Sequence, residues 1–93
     1  MRIVKTTNQF DKQLRLMGKR GKDLTKLHAV VQHLANDEPL EPRYRDHQLT
    51  GNVADFRDCH IEPDWLLIYQ LGTLNNTPAL FLTGTGTHSD LFG

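Results

Sequence analysis

The sequence predicts an α+β fold, in which an antiparallel β-sheet packs on an N-terminal two-helix hairpin in the order β-α-α-β-β-β. Between residues 10 and 34, apolar side chains recur at intervals of three and four, which is typical of amphipathic helices. From residue 53 to residue 83 the chain holds short apolar and β-branched runs divided by turn residues, which is typical of hairpins. The 93 residues are enough for one core, so we expect a single domain over 1–93.

The N-terminal half is expected to form one strand and two helices. Residues 2–6 are rich in β-branched side chains and predict a first strand, which must pair with the sheet non-locally. Asn8 is expected to begin the first helix, and Gly18 and Gly21 to end it. A second helix is expected to end near Asn36. Its apolar stripe consists of Leu24, Leu27, Val31 and Leu34.

The C-terminal half is expected to form the rest of the sheet. Its strongest strand is 65–71, which is almost continuously apolar and therefore suited to a central position. A connection over 72–78 returns the chain to a strand at 79–83. The remaining segments are an exposed connection over 36–46, a strand over 53–60 and a glycine-rich tail over 84–93 that ends in a short turn of helix.

The charges are balanced in number but not in position. Eleven basic and eleven acidic residues give a net charge of zero, yet residues 1–45 carry ten basic and five acidic residues, whereas residues 46–93 carry one and six. Such a split indicates one surface for a polyanion. Along the helices the cations can form a phosphate clamp or an ordinary solvated face. These cations are Lys12, Arg15, Lys19, Lys22 and Lys26.

Composition also excludes several classes of protein. No apolar run approaches the ~20 residues of a membrane span, and the first residues lack the apolar core of a signal peptide. The single cysteine, Cys59, excludes an internal disulfide and a cysteine-rich zinc site, and we interpret it as a buried small side chain. The expected compartment is the cytoplasm.

Three of the five histidines lie where sites are usually built. His28 and His33 fall within the second helix and are interpreted as ordinary helix residues, whereas His47, His60 and His88 lie at strand ends or in loops. The densest cluster is the turn from His60 to Trp65, with two carboxylates beside an imidazole. This turn supports acid–base chemistry, metal binding, or simply a polar connection. A metal-dependent hydrolase would use His60, Glu62, Asp64 and His88.

Three segments together resemble a known family. They are Tyr44-Arg-Asp-His-Gln-Leu-Thr-Gly51, Arg57-Asp-Cys-His-Ile-Glu-Pro-Asp-Trp-Leu-Leu-Ile-Tyr69 and Thr85-Gly-Thr-His-Ser-Asp-Leu-Phe-Gly93. They are similar to the YafQ-type toxins of bacterial toxin–antitoxin systems, within the wider RelE-like family of ribosome-dependent mRNA interferases. The resemblance extends over the whole chain.

The resemblance implies a metal-independent endoribonuclease without cofactors that enters the ribosomal A site and cuts the bound mRNA. The ribose 2′-hydroxyl attacks the adjacent phosphate, with His88 or Asp64 as base and His47 or His60 as acid. Trp65 and Phe92 match positions linked to substrate placement, and the cations of the two helices would contact ribosomal RNA. The implied partners are a cognate antitoxin, the ribosome and mRNA, with operator DNA bound only through the antitoxin.

One position departs from the family pattern. Members usually have Arg directly before the sequence Thr-Gly-Thr-His or its equivalent, where this chain has Gly84. A glycine cannot neutralise the charge that develops on the phosphate. Arg57 is the only cation in the second half and is the expected substitute. The alternative is a weakly active variant that acts mainly as an antitoxin-binding module and co-repressor of its own operon.

Overall fold

A computed structural model describes residues 1–93. The chain forms β1 (Ile3–Thr6), α1 (Asn8–Lys19), α2 (Leu24–Ala35), β2 (His47–Gln48), β3 (Arg57–Glu62), β4 (Trp65–Leu74), β5 (Thr77–Gly86) and α3 (His88–Phe92). Two short 3-10 turns, Pro42–Tyr44 and Gly51–Val53, lie on either side of β2. None of the helices has the length and apolar character that a membrane crossing requires.

The five strands form one sheet in the order β1-β5-β4-β3-β2, which confirms the predicted α+β fold. The predicted antiparallel sheet has one exception at its edge, where β1 pairs with β5 in parallel. The physical reason is that no hairpin joins β1 to its neighbour, so no tight turn imposes the antiparallel direction. The pairs formed by β2, β3, β4 and β5 are all antiparallel.

Several boundaries differ from those expected. Thr7, rather than Asn8, caps α1, because its hydroxyl accepts a hydrogen bond from the Phe10 N–H. The connection at 72–78 is much tighter than expected, since the chain reverses at Asn75 and Asn76, both with positive φ, and the strands continue to either side. The strand expected at 53–60 begins at Arg57 instead, and the two-residue β2 was not predicted.

The core lies between the two long helices and one face of the sheet. Helix α1 contributes Phe10 and Met17, and α2 contributes Leu27 and Val30. From the sheet come Cys59, Ile61, Trp65, Leu67, Tyr69, Leu80 and Leu82. Cys59 is buried as predicted, and burial raises the pKa of its thiol.

The alternation of side chains along β3 and β4 positions the candidate site. Because Cys59, Leu67 and Tyr69 face the helices, their neighbours in sequence face the other side of the sheet. Those neighbours include two polar residues of β3, Asp58 and His60, which pair with Ile68 and Leu66 of β4. The sheet therefore separates an apolar core from a second face that carries ionisable groups.

Candidate active site

Three imidazoles gather on the sheet face opposite the long helices. His47 of β2 lies beside Asp58 in the antiparallel register, and His60 follows two residues further along β3. His88 begins α3, and its ring centroid lies 5.5 Å from that of His60, edge to face. The charge on Asp58 interacts with all three rings. The folded chain thus brings the predicted residues His47, His60 and His88 together.

Each of these three imidazoles is held in place through its own Nδ1 atom. The Nδ1 atom of each lies within hydrogen-bond distance of an oxygen that can only accept, so each Nδ1 carries its hydrogen and donates it. Nε2 is then the nitrogen left to take up or release a proton. The contacts are His47 to the Arg45 carbonyl at 2.7 Å, His60 to the Pro63 carbonyl at 3.2 Å, and His88 to Asp64 Oδ1 at 2.5 Å.

Asp64 fixes the start of α3. Its Oδ1 accepts hydrogen bonds from both the backbone N–H of His88, at 2.9 Å, and the ring Nδ1 of the same residue. These donors hold the pKa of the Asp64 carboxyl below its ordinary value, so it is ionised at neutral pH. A carboxylate occupied in this way is a poor proton acceptor but a firm support for the ring.

Asp58 is a site residue that sequence reasoning missed. Its side chain is only 7% exposed, and its Oδ1 lies 3.2 Å from His47 Nδ1 without a hydrogen bond, because that N–H is directed to the Arg45 carbonyl. Burial raises the pKa of the Asp58 carboxyl. The available signal was its spacing of two from His60, which places both on one face once β3 is recognised.

Helix α3 is secured at both ends of its first turn. The Thr87 hydroxyl accepts from the Asp90 N–H, and the Asp90 carboxylate accepts from the Thr87 N–H, which forms a capping box. Arg20, at the end of α1, binds both oxygens of Asp90 at 2.6 and 3.1 Å. Gly86 permits this arrangement, since a Cβ there would lie 2.9 Å from that of Asp90.

The predicted substrate contact by Trp65 is not supported, because the side chain has no exposed surface. Its Nε1 donates to the Thr85 hydroxyl at 2.9 Å, and that hydroxyl donates to the Leu66 carbonyl at 2.7 Å. Trp65 therefore joins β4 to β5 beneath the imidazoles. It has a structural contribution rather than direct access to a ligand.

The geometry does not favour Arg57 as a phosphate contact, because alternation along β3 turns it to the side opposite Asp58 and His60. Its Nε donates to the Tyr69 hydroxyl at 3.2 Å, and its guanidinium lies 3.4 Å from Asp46. The Tyr69 hydroxyl in turn donates to Asp46. The guanidinium is engaged there and does not reach the imidazole cluster.

Phe92 and Gly84 line a separate cavity of about 320 Å³, which none of the three site histidines lines. Phe92 is 57% exposed, so its role in placing a substrate stays a prediction. A Cβ on Gly84 would lie 3.3 Å from Gln13 Oε1 and 3.6 Å from Ile68, so a side chain fits if Gln13 shifts slightly. The other lining residues are mostly apolar, and none of them is charged.

The basic residues of the two helices and of the link between them fall into two groups. Lys22 and Lys26 both bind Glu62, at 2.8 and 2.9 Å, and together hold its pKa below the ordinary value. Lys12, Arg15 and Lys19 of α1 are exposed and make no ion pair, so they remain available to a polyanion. No three His, Cys, Asp or Glu side chains are arranged to hold a metal ion together.

Comparison with known proteins gives a consistent set of relatives. The model of the YafQ family, bacterial toxins of type II toxin–antitoxin systems, matches residues 2–93. The mRNA interferase toxin YafQ of Escherichia coli K12 is 41% identical over 93 residues, which is 99% of this chain and 97% of the relative.

Solved structures share the fold over the full length. A chain in the crystal structure of the E. coli DinJ–YafQ complex is 40% identical, with a TM-score of 0.88 and coverage of 100% of both chains. The crystal structure of a metal-bound toxin from Helicobacter pylori is 47% identical, with a TM-score of 0.90, over 99% of this chain and 100% of that chain.

Proposed function

Because this chain belongs to the YafQ family of bacterial type II toxins, whose model matches residues 2–93, we propose that it cuts mRNA in the ribosomal A site by 2′-hydroxyl attack. Like its relatives it is an mRNA interferase toxin with a cognate antitoxin as partner. The observation that carries the mechanism is the set of three imidazoles that each donate Nδ1–H to a fixed oxygen and keep Nε2 free.

In the proposed reaction, a base takes the proton of the ribose 2′-hydroxyl while the 2′-oxygen bonds to the adjacent phosphorus. The bond from phosphorus to the 5′-oxygen breaks, and an acid gives its proton to that leaving oxygen. The products are a 2′,3′-cyclic phosphate and a free 5′-hydroxyl. The reaction requires one imidazole that starts neutral and one that starts protonated.

His88 is the base in this proposal, with Asp64 as its positioning residue. Asp64 already accepts two hydrogen bonds from His88, which leaves the His88 Nε2 as the better proton acceptor. The acid is His47 or His60, each held through Nδ1 by a carbonyl oxygen. Asp58, between the rings, stabilises positive charge on whichever imidazole is protonated.

No step of the proposed reaction passes through a metal, although one relative of known structure is a metal-bound toxin. The proposal is supported by the arrangement of the side chains, since no three His, Cys, Asp or Glu residues are placed so that they could share one metal ion. Toxin that has been treated with a chelator and dialysed should cleave at the original rate when added to ribosomes. A loss of cleavage that a divalent transition metal restores would contradict this.

The test of the function is mRNA cleavage by the purified toxin on programmed ribosomes, with fragments mapped to single nucleotides. Wild-type toxin should cut within the A-site codon and leave the same mRNA intact without ribosomes. His88→Ala should lose about 10²-fold or more of the rate. His28→Ala, which removes an exposed imidazole of α2, is the matched control and should cleave like the wild type.

The alternative function is an antitoxin-binding module with little activity, which binds operator DNA only through the antitoxin. The observations that favour it are the missing charge at Gly84 and the engagement of Arg57 away from the site. Wild-type protein that binds programmed ribosomes but leaves mRNA uncut under single-turnover conditions would support this alternative.

A further inference from the structure

We propose that Arg45, together with Arg43, forms a separate site beside the imidazoles for a phosphodiester of the RNA strand next to the cleaved linkage. The inference rests on the proposed function for the nature of its ligand. It concerns the 3-10 turn Pro42–Tyr44 and the side chain of Arg45 that follows it, neither of which has a part in the proposed reaction.

A cavity of about 500 Å³ connects this turn to the imidazole cluster. One wall consists of Arg43, Tyr44 and Arg45, and the other consists of residues 60–63, which include His60. Two arginines and His60 therefore line the same space. A nucleic-acid strand that enters the cluster on this side passes directly over the turn.

The positive charge of this cavity is not neutralised within the chain. Arg45 makes no ion pair, and the ion pair of Arg43 with Glu41, at 3.4 Å, joins side chains that are 71% and 72% exposed, so water screens it. Glu62 is the only carboxylate in the lining, and Lys22 and Lys26 already bind it. The cavity thus offers a phosphate two available cations.

The backbone of Arg45 links this cavity to the reacting groups. Arg45 adopts the left-handed conformation, with φ 49° and ψ 43°, where its N–H bonds to the Pro42 carbonyl. This conformation is uncommon for a residue other than Gly, Asn or Asp and costs about 1 kcal/mol. The Arg45 carbonyl holds the His47 ring, and Arg45 also lines the cavity beside His60.

This placement supplies a cation where the rest of the site has none. Gly84 carries no charge, and Arg57 is directed to the other face of the sheet. RNA that approaches three imidazoles and two carboxylates needs positive charge close by, because phosphate contacts supply much of the affinity for nucleic acids. Arg45 is the unpaired guanidinium in the cavity that His60 lines.

The test uses an uncleavable 2′-O-methyl RNA trinucleotide, titrated into the free protein and followed by NMR. The amide signals of residues 43–45 and the ring signals of His60 should shift together. Arg45→Asn, which tolerates the left-handed backbone, should weaken binding about tenfold and reduce the slope of affinity against salt by about 0.7. Arg45→Lys should retain most of the affinity.

Lys5→Asn is the matched control, because β1 lies at the opposite edge of the sheet from β2 and this exposed cation should not matter. The proposed site would be overturned if the NMR signals of residues 43–45 and 60 stayed unchanged up to millimolar RNA. It would also be overturned if Arg45→Asn and Lys5→Asn lost equal amounts of RNA affinity.

If these signals respond but the wild type does not cleave on ribosomes, the proposed function fails and the site stands. If Arg45→Asn binds and cleaves like the wild type, the site fails and the function stands.

Discussion

Asp58 is a buried charge that should lower stability, and in the proposed reaction it stabilises a protonated imidazole. Its carboxylate is 7% exposed, lacks a hydrogen bond at Oδ1, and lies among three imidazoles. Its pKa is higher in the folded chain than in the unfolded chain, so the folded state binds more protons between the two values. The destabilising effect of Asp58 therefore grows as pH rises through that interval and is complete above it.

Asp58→Asn should accordingly stabilise the protein and impair cleavage. At pH 7 the free energy of unfolding should rise by about 1 kcal/mol, because a neutral amide is less costly to bury than a carboxylate. Near pH 3, where the acid is protonated in both states, the gain should vanish. Urea unfolding at both pH values, with single-turnover cleavage at pH 7, checks this. A variant that is less stable at pH 7 and equally active would contradict the role given to Asp58.

Gly84→Arg should add a cation that can contact the reacting phosphate and raise the cleavage rate about 10²–10³-fold, the scale of one stabilising contact to a transition state. The site has room, since the first carbon of the side chain meets only Gln13 and Ile68. Gly84→Met, of similar length without charge, is the control and should not gain activity. Equal rates for wild type and Gly84→Arg would mean that the charge at this position is dispensable.

Among the helices, α3 depends most on a single long-range contact. It has five residues, too few to be stable alone, and carries both His88 and Phe92. Arg20 connects it to α1 through a two-point ion pair with Asp90, which holds the Asp90 pKa well below its ordinary value. The position of His88 therefore depends on a residue 68 positions earlier in the chain.

Arg20→Ala should release α3 and lower the cleavage rate about tenfold, because a loosely held His88 spends less time in the reactive geometry. The thermal midpoint should change by only a few degrees, since the pair is partly exposed. Arg20→Lys, which keeps one of the two contacts, should recover part of the rate. Full activity in Arg20→Ala would show that the capping box alone holds the helix.

The unpaired and the paired cations of the N-terminal half should differ in their effect on ribosome binding. Lys12→Ala/Arg15→Ala removes two unpaired cations and should reduce the slope of affinity against salt by about 1.5–2. Lys22→Ala/Lys26→Ala removes the same charge but also exposes Glu62, which these lysines bind. Because Lys22 and Lys26 already pair with Glu62, we expect them to take no part in ribosome binding. Their loss should then reduce the slope of affinity against salt by less than half as much as the loss of Lys12 and Arg15. Equal slopes for the two double variants would contradict this division.

Local patterns predict the helices and the long strands well, because amphipathic spacing and continuous apolar runs report burial directly. They fail where partners are distant. The direction of β1 depends on β5, more than seventy residues away, and β2 is too short to leave a signal. The cap at Thr7 was missed because Thr and Asn are both good capping residues and stand next to each other.

For the whole molecule, the site lies on one face of the sheet and the core on the other. The three site histidines could be predicted from their positions at strand ends or in loops. Asp58 and Arg57 could not be distinguished in this way, because only the register of β3 shows which of them faces the imidazoles. Trp65 stands in a polar turn by sequence and yet is fully buried. Ion pairs between distant segments also determine which cations of residues 1–45 remain available to a polyanion.

The most direct test of the central claim is cleavage on programmed ribosomes of an mRNA with one 2′-deoxynucleotide at the cut position. The matched all-ribose mRNA should be cut once and yield a 2′,3′-cyclic phosphate and a 5′-hydroxyl, because the 2′-oxygen is the nucleophile. The deoxy-substituted mRNA should remain intact at that linkage. Cleavage of both mRNAs at the same rate would contradict 2′-hydroxyl attack and, with it, the acid–base roles assigned to the three imidazoles.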